Sequence, residues 1–298
     1  MVFHPSVDIF CKVVDNYGDI GVCWRLARQL GVERGLTVRL FVDDPESFRA
    51  VVPHPVAGVH VGMWPSSPEI YAGAADIVIE AFACDLPSYV VAAIGQRRSV
   101  WIDLEYLSAE DWVAEWHAIP SRHPTTGGVK TVFFPGFDTR TGGLIRENDL
   151  ISRRNSFMSD ENLQNNWRKS HFLPEKDENT LDISLFHYKT APLERLFDVI
   201  ATSCRPVRLF QPVRDFMAKD PIIPREGGHL TLYQMPFVSQ YDYDYLLWTC
   251  DMNFVRGEDS FVRAQWAGKP FVWNIYVQEE NAHSVKLDAF LEKIRPFY

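Results

Sequence analysis

VDIFCKVVDNYGDIGVCWRLARQL, residues 7–30, passes from an apolar, strand-like run through a turn with two glycines into a helix-like run. A strand, a turn and a helix in this order open a Rossmann-like domain, whose ligands usually bind at the carboxyl end of the strand. The turn carries two carboxylates, Asp15 and Asp19, beside the loop glycines Gly18 and Gly21. Because carboxylates repel phosphate and the pattern G-x-G-x-x-G is absent, we expect this turn not to bind a dinucleotide.

Short β-branched and aromatic runs continue the alternation through the first half of the chain. They are TVRLFVDD (37–44), VHVGMW (59–64), DIVIEAFA (76–83), SVWIDLEYL (99–107) and VKTVFFPG (129–136). A second series follows in the other half: LDISLFHY (181–188), RPVRLFQPV (205–213), HLTLYQMPFV (229–238), DMNFVRG (251–257) and KPFVWNIY (269–276). Segments that can pack as crossover helices separate the runs, so the sequence predicts an α/β protein with two Rossmann-like parallel sheets in tandem.

The stretch from about 148 to 180 interrupts this alternation. It is polar and contains one predicted helix over 159–170, for which Ser159 or Asp160 would be the cap. We therefore predict an N-terminal Rossmann-like domain over residues 1–150, a connection over 151–178 and a C-terminal Rossmann-like domain over 179–298.

Composition excludes several classes of protein. With 298 residues, 46% of them hydrophobic, the chain can bury two cores of medium size. Its formal net charge of -9 argues against a nucleic-acid partner, because such binding depends on Lys and Arg. The five cysteines form no C-x-x-C pair, which favours a reducing, cytoplasmic setting. No apolar run approaches the roughly 20 residues that span a bilayer, so we expect no membrane association.

Asp19 has a structural and a functional interpretation. It could simply cap the helix that begins GVCWRL, which is a common role for Asp. Capping accounts for one acid, however, and Asp15 at the end of the strand is a second one facing the same crevice. Paired carboxylates suit a cationic acceptor, with one acid orienting the acceptor and the other receiving its proton.

The second half repeats the strand, turn and helix layout in VRGEDSFVRAQWAG. Gly257 ends the strand there, and Glu258, Asp259 and Ser260 open the helix, whose first amides could hold a pyrophosphate. The structural alternative is that these acids only complement the helix dipole while Ser260 acts as a cap.

The run SQYDYDYLLW, residues 239–248, alternates tyrosine and aspartate. A tyrosine at the carboxyl edge of a sheet can stack on a nucleobase, whereas the alternative is that most of these aromatic residues belong to a helix core. Asp242 and Asp244 also form a D-x-D pattern, which binds a metal ion in one class of glycosyltransferase. Three residues are weak evidence for a metal, and no His/Cys cluster has zinc spacing, so we expect no metal.

IFCKVVDNYGDIGVCWRLARQL, IEAFACDLP, IDLEYLSAEDW, FFPGFDTRTGGLIRE and FVRGEDSFVRAQWAGKPFVWNIY together resemble the EarP family of bacterial protein-arginine rhamnosyltransferases, which modify elongation factor P. The similarity runs through essentially the whole chain. It implies a GT-B architecture of two facing Rossmann-like domains, with dTDP-L-rhamnose as donor substrate, elongation factor P as partner, and no cofactor. Family chains continue for about another quarter of this length, so the resemblance also implies a C-terminal domain truncated at its end.

The resemblance also implies roles for individual residues. Asp19 matches the general base of the family, and Asp15 matches its companion carboxylate. Tyr188, Gln240 and Tyr243 match the thymidine pocket, with a tyrosine where relatives have phenylalanine. Glu258, Asp259 and Ser260 match the segment that holds the deoxyribose and the diphosphate. The alternatives are a GT-B transferase with a lipid or small-molecule acceptor, and a non-catalytic nucleotide-sugar-binding protein.

Overall fold

The computed structural model describes residues 5–13, 17–52, 54, 56–124, 126–217 and 228–297. The chain folds into two compact units: unit 1 consists of Met1–Glu147 and Val277–Tyr298, and unit 2 of Asn148–Tyr276. Each unit is built around one sheet with a core on both faces. The predicted class, α/β with two Rossmann-like sheets, is confirmed.

Unit 1 contains a seven-stranded sheet with the strand order β3-β2-β1-β4-β5-β7-β6. All described pairings are parallel except that of β6 with β7. The order reverses between β1 and β4, which is the point where a doubly wound sheet opens a crevice for ligands.

The first stretch of unit 1 contains the following elements: β1 (Ser6–Cys11), α1 (Gly18–Arg28), a π-helical segment (Gln29–Glu33), β2 (Thr37–Val42), α2 (Pro45–Val51), β3 (Val59–Met63), β4 (Ile77–Ala81), α3 (Ser88–Arg97), β5 (Val100–Leu104), α4 (Val113–Trp116), β6 (Pro120–Arg122) and β7 (Val129–Phe133). The π-helical segment continues α1 directly.

Unit 2 contains a five-stranded parallel sheet with the order β10-β9-β8-β11-β12, which reverses between β8 and β11. Its central strands alternate between two apolar clusters, as expected for strands that are buried on both faces. Its elements are α5 (Leu150–Met158), α6 (Glu161–Ser170), β8 (Leu181–Leu185), α7 (Leu193–Ala201), β9 (Val207–Val213), β10 (Leu230–Pro236), α8 (Gln240–Thr249), β11 (Met252–Arg256), α9 (Asp259–Ala267) and β12 (Phe271–Asn274).

The polar stretch before β8 belongs to unit 2 and is not a separate connection. Phe157 of α5 is buried, with its ring centroid 4.8 Å from that of Tyr245. Arg168 of α6 is completely buried and donates a hydrogen bond of 2.7 Å to Asp182 of β8. Asp160 caps α6 by accepting two backbone N–H bonds, so the predicted cap is confirmed for Asp160.

The last described segment returns to unit 1, whereas the sequence interpretation assigned it to the C-terminal domain. It comprises a short 3₁₀ turn (Glu279–Asn281), α10 (Ala282–Ile294) and a second 3₁₀ turn (Arg295–Phe297). Phe290 of α10 is 5% exposed, and its ring lies 5.3 Å from Phe137. Lys293 pairs with Asp111 at 2.7 Å. A few such contacts, between residues far apart in the chain, decide the assignment.

Among the residues that the structure describes, no helix combines the length and the apolar character that crossing a bilayer requires.

Candidate functional site

Asp19 lies in the first turn of α1, at the carboxyl end of β1, and is only 2% exposed. Tyr17 occupies the N-cap position of α1, and its side chain makes no capping hydrogen bond to this helix. Asp19 is therefore not the N-cap that the structural interpretation assumed. A carboxylate in the first turn is nevertheless stabilised by the helix dipole. Asp15, its predicted companion, lies outside the described residues.

The two glycines predicted to form the loop are part of the helix. Gly18 is the first residue of α1, and Gly21 is buried within it and donates its N–H to the carbonyl of Tyr17 at 2.8 Å. The prediction of loop glycines is therefore wrong for these two. Ile20 and Val22 are buried on either side of Gly21, and this tertiary packing outweighs the low helix propensity of glycine.

A group of buried thiols lies beside Asp19. Cys23, one helical turn further on, is fully buried, and the pKa of its thiol is raised by a hydrogen bond with Cys11, by burial and by the negative charge of Asp19. Burial also raises the pKa of Cys84, with smaller contributions from Glu80 and Cys11. These thiols therefore stay neutral near pH 7, and they add no negative charge to that of Asp19.

In unit 2, the turn between β11 and α9 has a different construction. Gly257 adopts a left-handed φ of 59°, and its carbonyl accepts a hydrogen bond of 2.9 Å from the indole of Trp273. Glu258 precedes the helix without a side-chain cap bond. The Ser260 hydroxyl donates to the carbonyl of Arg256 and accepts the backbone N–H of Arg256 at 3.0 Å. The serine thus ties the start of α9 to the end of β11.

Gln240 and Asp259, both predicted to bind the donor, are brought together by the fold. Gln240 opens α8, is 8% exposed, and donates from its amide nitrogen to the Asp259 carboxylate at 3.0 Å. Asp259 is the first residue of α9. The first amides of a helix have no carbonyl partner within that helix, so this end of α9 is chemically suited to an anion.

Arg256 is a candidate site residue that the sequence interpretation missed. Its guanidinium carbon lies 4.3 Å from the ring of Phe186 and 4.7 Å from the ring of Tyr188, and it donates to the carbonyl of His187 at 3.2 Å. Tyr188 in turn packs edge-on against Tyr276 at 5.6 Å. A fixed cation and an aromatic ring therefore lie together at the carboxyl edge of the sheet. The available signal was an arginine directly before the turn glycine in VRGEDS.

Tyr243 is more deeply buried than a stacking platform would be. It is 8% exposed, and its ring lies 5.7 Å from Phe186 in the apolar core of unit 2. Its hydroxyl is buried and lies within reach of the Ser260 hydroxyl at the start of α9. Burial raises the pKa of this hydroxyl well above its usual range. The ring of Tyr243 therefore belongs to the core of unit 2, and its hydroxyl is the part that lies near the start of α9.

The D-x-D pattern does not form a paired carboxylate site. Asp242 accepts a hydrogen bond of 2.7 Å from Ser239, which caps α8. Asp244 is 2% exposed and is held by Arg263 through bonds of 2.7 and 2.6 Å. The two carboxylates thus serve different structural partners. Within the described ranges, no group of three His, Cys, Asp or Glu side chains could hold a metal ion.

Similarity to known proteins adds to this geometry. The family model for "Elongation-Factor P (EF-P) rhamnosyltransferase EarP" matches residues 7–297. The protein-arginine rhamnosyltransferase of Pseudomonas putida is 47% identical over 311 residues, covering 97% of this chain and 81% of the relative. The enzyme of the same name from Pseudomonas aeruginosa is 46% identical over 309 residues, covering 96% of this chain and 81% of the relative.

Solved structures agree with these matches. One, described as the structural basis for EarP-mediated arginine glycosylation of translation elongation factor EF-P, aligns with a TM-score of 0.65 at 34% identity and covers 98% of this chain and 78% of that one. An α-glucosyltransferase in complex with UDP aligns with a TM-score of 0.52 at 8% identity, covering 98% of this chain and 90% of that one, which indicates a shared fold alone. The GT-B class of fold is thereby confirmed.

Proposed function

Because the chain belongs to the EarP family, we propose that it transfers L-rhamnose from dTDP-L-rhamnose to an arginine side chain of elongation factor P, with inversion at the anomeric carbon. Family membership makes the chain a protein-arginine rhamnosyltransferase. The proposal of substrates and mechanism rests on the position of Asp19. Its carboxylate is only 2% exposed and lies at the carboxyl edge of the sheet in unit 1.

The arginine side chain is a poor nucleophile because its guanidinium stays protonated at neutral pH. A guanidinium has a pKa of about 12.5 or more, whereas a carboxylate has one of about 4, a gap of roughly eight units or about 11 kcal/mol. A carboxylate therefore cannot deprotonate arginine before the reaction begins. Proton transfer must accompany or follow formation of the bond between the nitrogen and C1 of the sugar.

Asp19 has two roles in this proposal. Charge-assisted hydrogen bonds from the guanidinium to Asp19, and to Asp15 as its companion, hold one nitrogen in line with the anomeric carbon. As that nitrogen forms its bond to C1, the proton on it becomes acidic and passes to Asp19. Attack from the face opposite the leaving dTDP inverts the configuration at C1.

The donor is proposed to bind in unit 2. The first amides of α9, around Asp259 and Ser260, would meet the diphosphate, and the Arg256 guanidinium would offset its charge. Tyr188 supplies an aromatic surface for the thymine, while Gln240 and the Tyr243 hydroxyl supply polar contacts. Glu258 matches the segment that holds the deoxyribose. With these groups meeting the leaving phosphate, we propose that transfer proceeds without a metal or other cofactor.

The setting proposed for this activity is the cytoplasm. All five cysteines are free, and four of them are buried, which is the usual state of thiols in a reducing compartment.

A modification assay tests the proposal. The chain is incubated with dTDP-L-rhamnose and unmodified elongation factor P, and intact-mass and peptide mass spectrometry then locate any added sugar. We expect one deoxyhexose on an arginine, release of dTDP, and a product anomer opposite to that of the donor by NMR. Donor that persists beside intact acceptor would contradict the proposal and favour a binding protein. Consumption of donor only with a lipid or small molecule would favour the other transferase.

A further inference from the structure

β4 lies next to β1 in the sheet, and the two strands end side by side just before the start of α1, which carries Asp19. β1 and β4 are neighbours, and their register places Cys11 opposite Ala81 at the carboxyl end of both strands. The strand order reverses between these two strands, so their following segments leave the sheet at the crevice that binds ligands in such folds. The segment after β4 therefore borders the same crevice as the turn that carries Asp19.

This segment, which we call the β4 turn (residues 82–85), has an unusual backbone. Phe82, Ala83 and Asp85 have φ angles of 57°, 48° and 51°, all in the left-handed region. Residues other than glycine rarely adopt this region, and three of them within four positions is a concentration of strain. Backbone strain of this kind persists only where surrounding structure enforces it, and it clusters at functional sites.

Buried side chains hold the β4 turn in place. Phe82 is 9% exposed, stacks on Tyr106 with a centroid distance of 4.3 Å, and donates its N–H to the carbonyl of Leu104 at 2.7 Å. Cys84 is 5% exposed, and its thiol donates to the carbonyl of Phe10 at 3.6 Å. The anchors thus come from β1 on one side and from the end of β5 on the other.

Two residues of the β4 turn alternate with these anchors and are exposed to solvent. Phe82 and Cys84 are buried, whereas Ala83 and Asp85 are exposed. Asp85 is therefore an exposed carboxylate on a turn that follows the carboxyl end of β4. The bond from Cys84 to the carbonyl of Phe10 keeps the turn against β1, the strand that leads to α1 and Asp19.

We propose that Asp85 is a specificity-determining residue that binds a positively charged side chain of the acceptor protein, and that the strained β4 turn holds it in position. This inference rests on the proposed function and names a further contact for the same acceptor. A carboxylate accepts charge-assisted hydrogen bonds from arginine or lysine, and a rigid turn reduces the entropy lost when that contact forms. Asp85 contacts the acceptor protein and takes no part in the transfer of the proton.

The first test is the variant Asp85→Asn, studied by steady-state kinetics with each substrate varied in turn. We expect the KM for elongation factor P to rise about tenfold, consistent with loss of one charged hydrogen bond, while kcat and the KM for dTDP-L-rhamnose stay within about twofold. Glu161→Gln on α6 removes the same charge from an exposed position of unit 2 and serves as the control. An unchanged acceptor KM in Asp85→Asn would overturn the proposal.

A second pair of variants separates positioning from stability. Ala83→Gly relieves the strain within the β4 turn, and Arg98→Gly relieves the same left-handed conformation at the exposed end of α3. Both should raise the melting temperature by about 2–4 °C. Only Ala83→Gly should also raise the KM for the acceptor, because a glycine at position 83 makes the backbone beside Asp85 more flexible, whereas position 98 is in a different turn.

The outcomes are distinguishable. If the wild-type chain transfers no rhamnose to elongation factor P, the proposed function fails and this inference fails with it. If the wild type is active and Ala83→Gly behaves as Arg98→Gly does, with a higher melting temperature and unchanged kinetics, the positioning role of the turn alone is overturned.

Discussion

The turn after β1 and the turn after β11 occupy the same place in two similar sheets, yet they are built differently. In unit 1 the chain uses residues 12–17 to pass from Cys11 to Gly18, whereas in unit 2 Gly257 and Glu258 are enough to pass from Arg256 to Asp259. The shorter connection brings backbone amides of α9 close to the end of its strand, and a left-handed glycine makes so tight a turn possible.

The charged side chains beside the two turns also differ. Asp19 is buried in α1 just after the first turn, next to the neutral thiol of Cys23. The second turn also has acids, Glu258 and Asp259, but it is preceded by the cation of Arg256, which packs against two aromatic rings. A buried carboxylate favours a cationic ligand, and a helix N-terminus with an arginine favours an anionic one. One strand, turn and helix unit can therefore serve opposite charges, depending on turn length and on a few neighbouring side chains.

The largest effect is expected from Asp19→Asn, which removes the negative charge from the turn in unit 1. Turnover should fall by a factor of about 10² to 10⁴, because the variant can neither accept the proton nor bind the guanidinium as strongly. Donor affinity should be unchanged, since the donor is assigned to unit 2. Isothermal titration with dTDP-L-rhamnose beside a turnover assay measures both. An equal loss of binding and rate would show that Asp19 is a structural residue.

The next effect is expected from Arg256→Ala, which removes the cation from the turn in unit 2. Loss of a charged hydrogen bond to the diphosphate should weaken dTDP binding by a factor of about 10 to 100. Arg205→Ala removes an exposed positive charge from the same unit and should have no such effect. Isothermal titration of both variants with dTDP gives the comparison. Unchanged affinity in Arg256→Ala would mean that the aromatic packing of this side chain is its whole role.

A smaller effect is expected from Tyr243→Phe, which tests whether the buried hydroxyl serves the ligand. Removing this buried hydroxyl should change the stability of the ligand-free protein by no more than about 1 kcal/mol, seen as a shift in melting temperature of at most about 2–4 °C. The affinity for dTDP should fall several-fold if the hydroxyl binds the donor. Tyr233→Phe, at a half-buried tyrosine of β10, is the matched control. Unchanged affinity for dTDP would remove Tyr243 from the donor site.

The smallest effect is expected from a metal chelator. If the α9 turn and Arg256 offset the charge of the leaving dTDP, turnover should stay within about twofold after treatment with EDTA. The measurement is the rate before treatment, after it, and after Mg²⁺ is added back. A rate that falls and then recovers with Mg²⁺ would show that the turn in unit 2 is not sufficient for the leaving group.

The sequence predicted the sheets well because buried parallel strands have a clear apolar pattern. Each of the eleven quoted runs contains a strand, whereas β6 was missed because PSR is short and polar and begins with proline. α5 was missed because its sequence, LISRRNSFM, buries only Leu150 and Phe157. The place of the final segment depends on contacts with residues more than 150 positions away, and local pattern cannot reveal those.

The site was predicted less completely. Residue type and position identified Asp19 and Asp259 as candidates, and the family resemblance added Gln240. The structure places each of them at the start of a helix on the carboxyl side of a sheet. Residue type could not show that Gly18 and Gly21 are helical, because their conformation depends on the burial of the residues around them in α1. Nor could it show the left-handed residues after β4, since none of them is a glycine. The role of Asp15 stays a prediction.

Unit 1 is assembled from two stretches of chain, with all of unit 2 lying between them in the sequence. On a ribosome, residues 148–276 are therefore made before α10 emerges, and until then Phe137 of unit 1 lacks its contact with Phe290. The order of synthesis thus leaves unit 1 without α10 until residues 148–276 have been made.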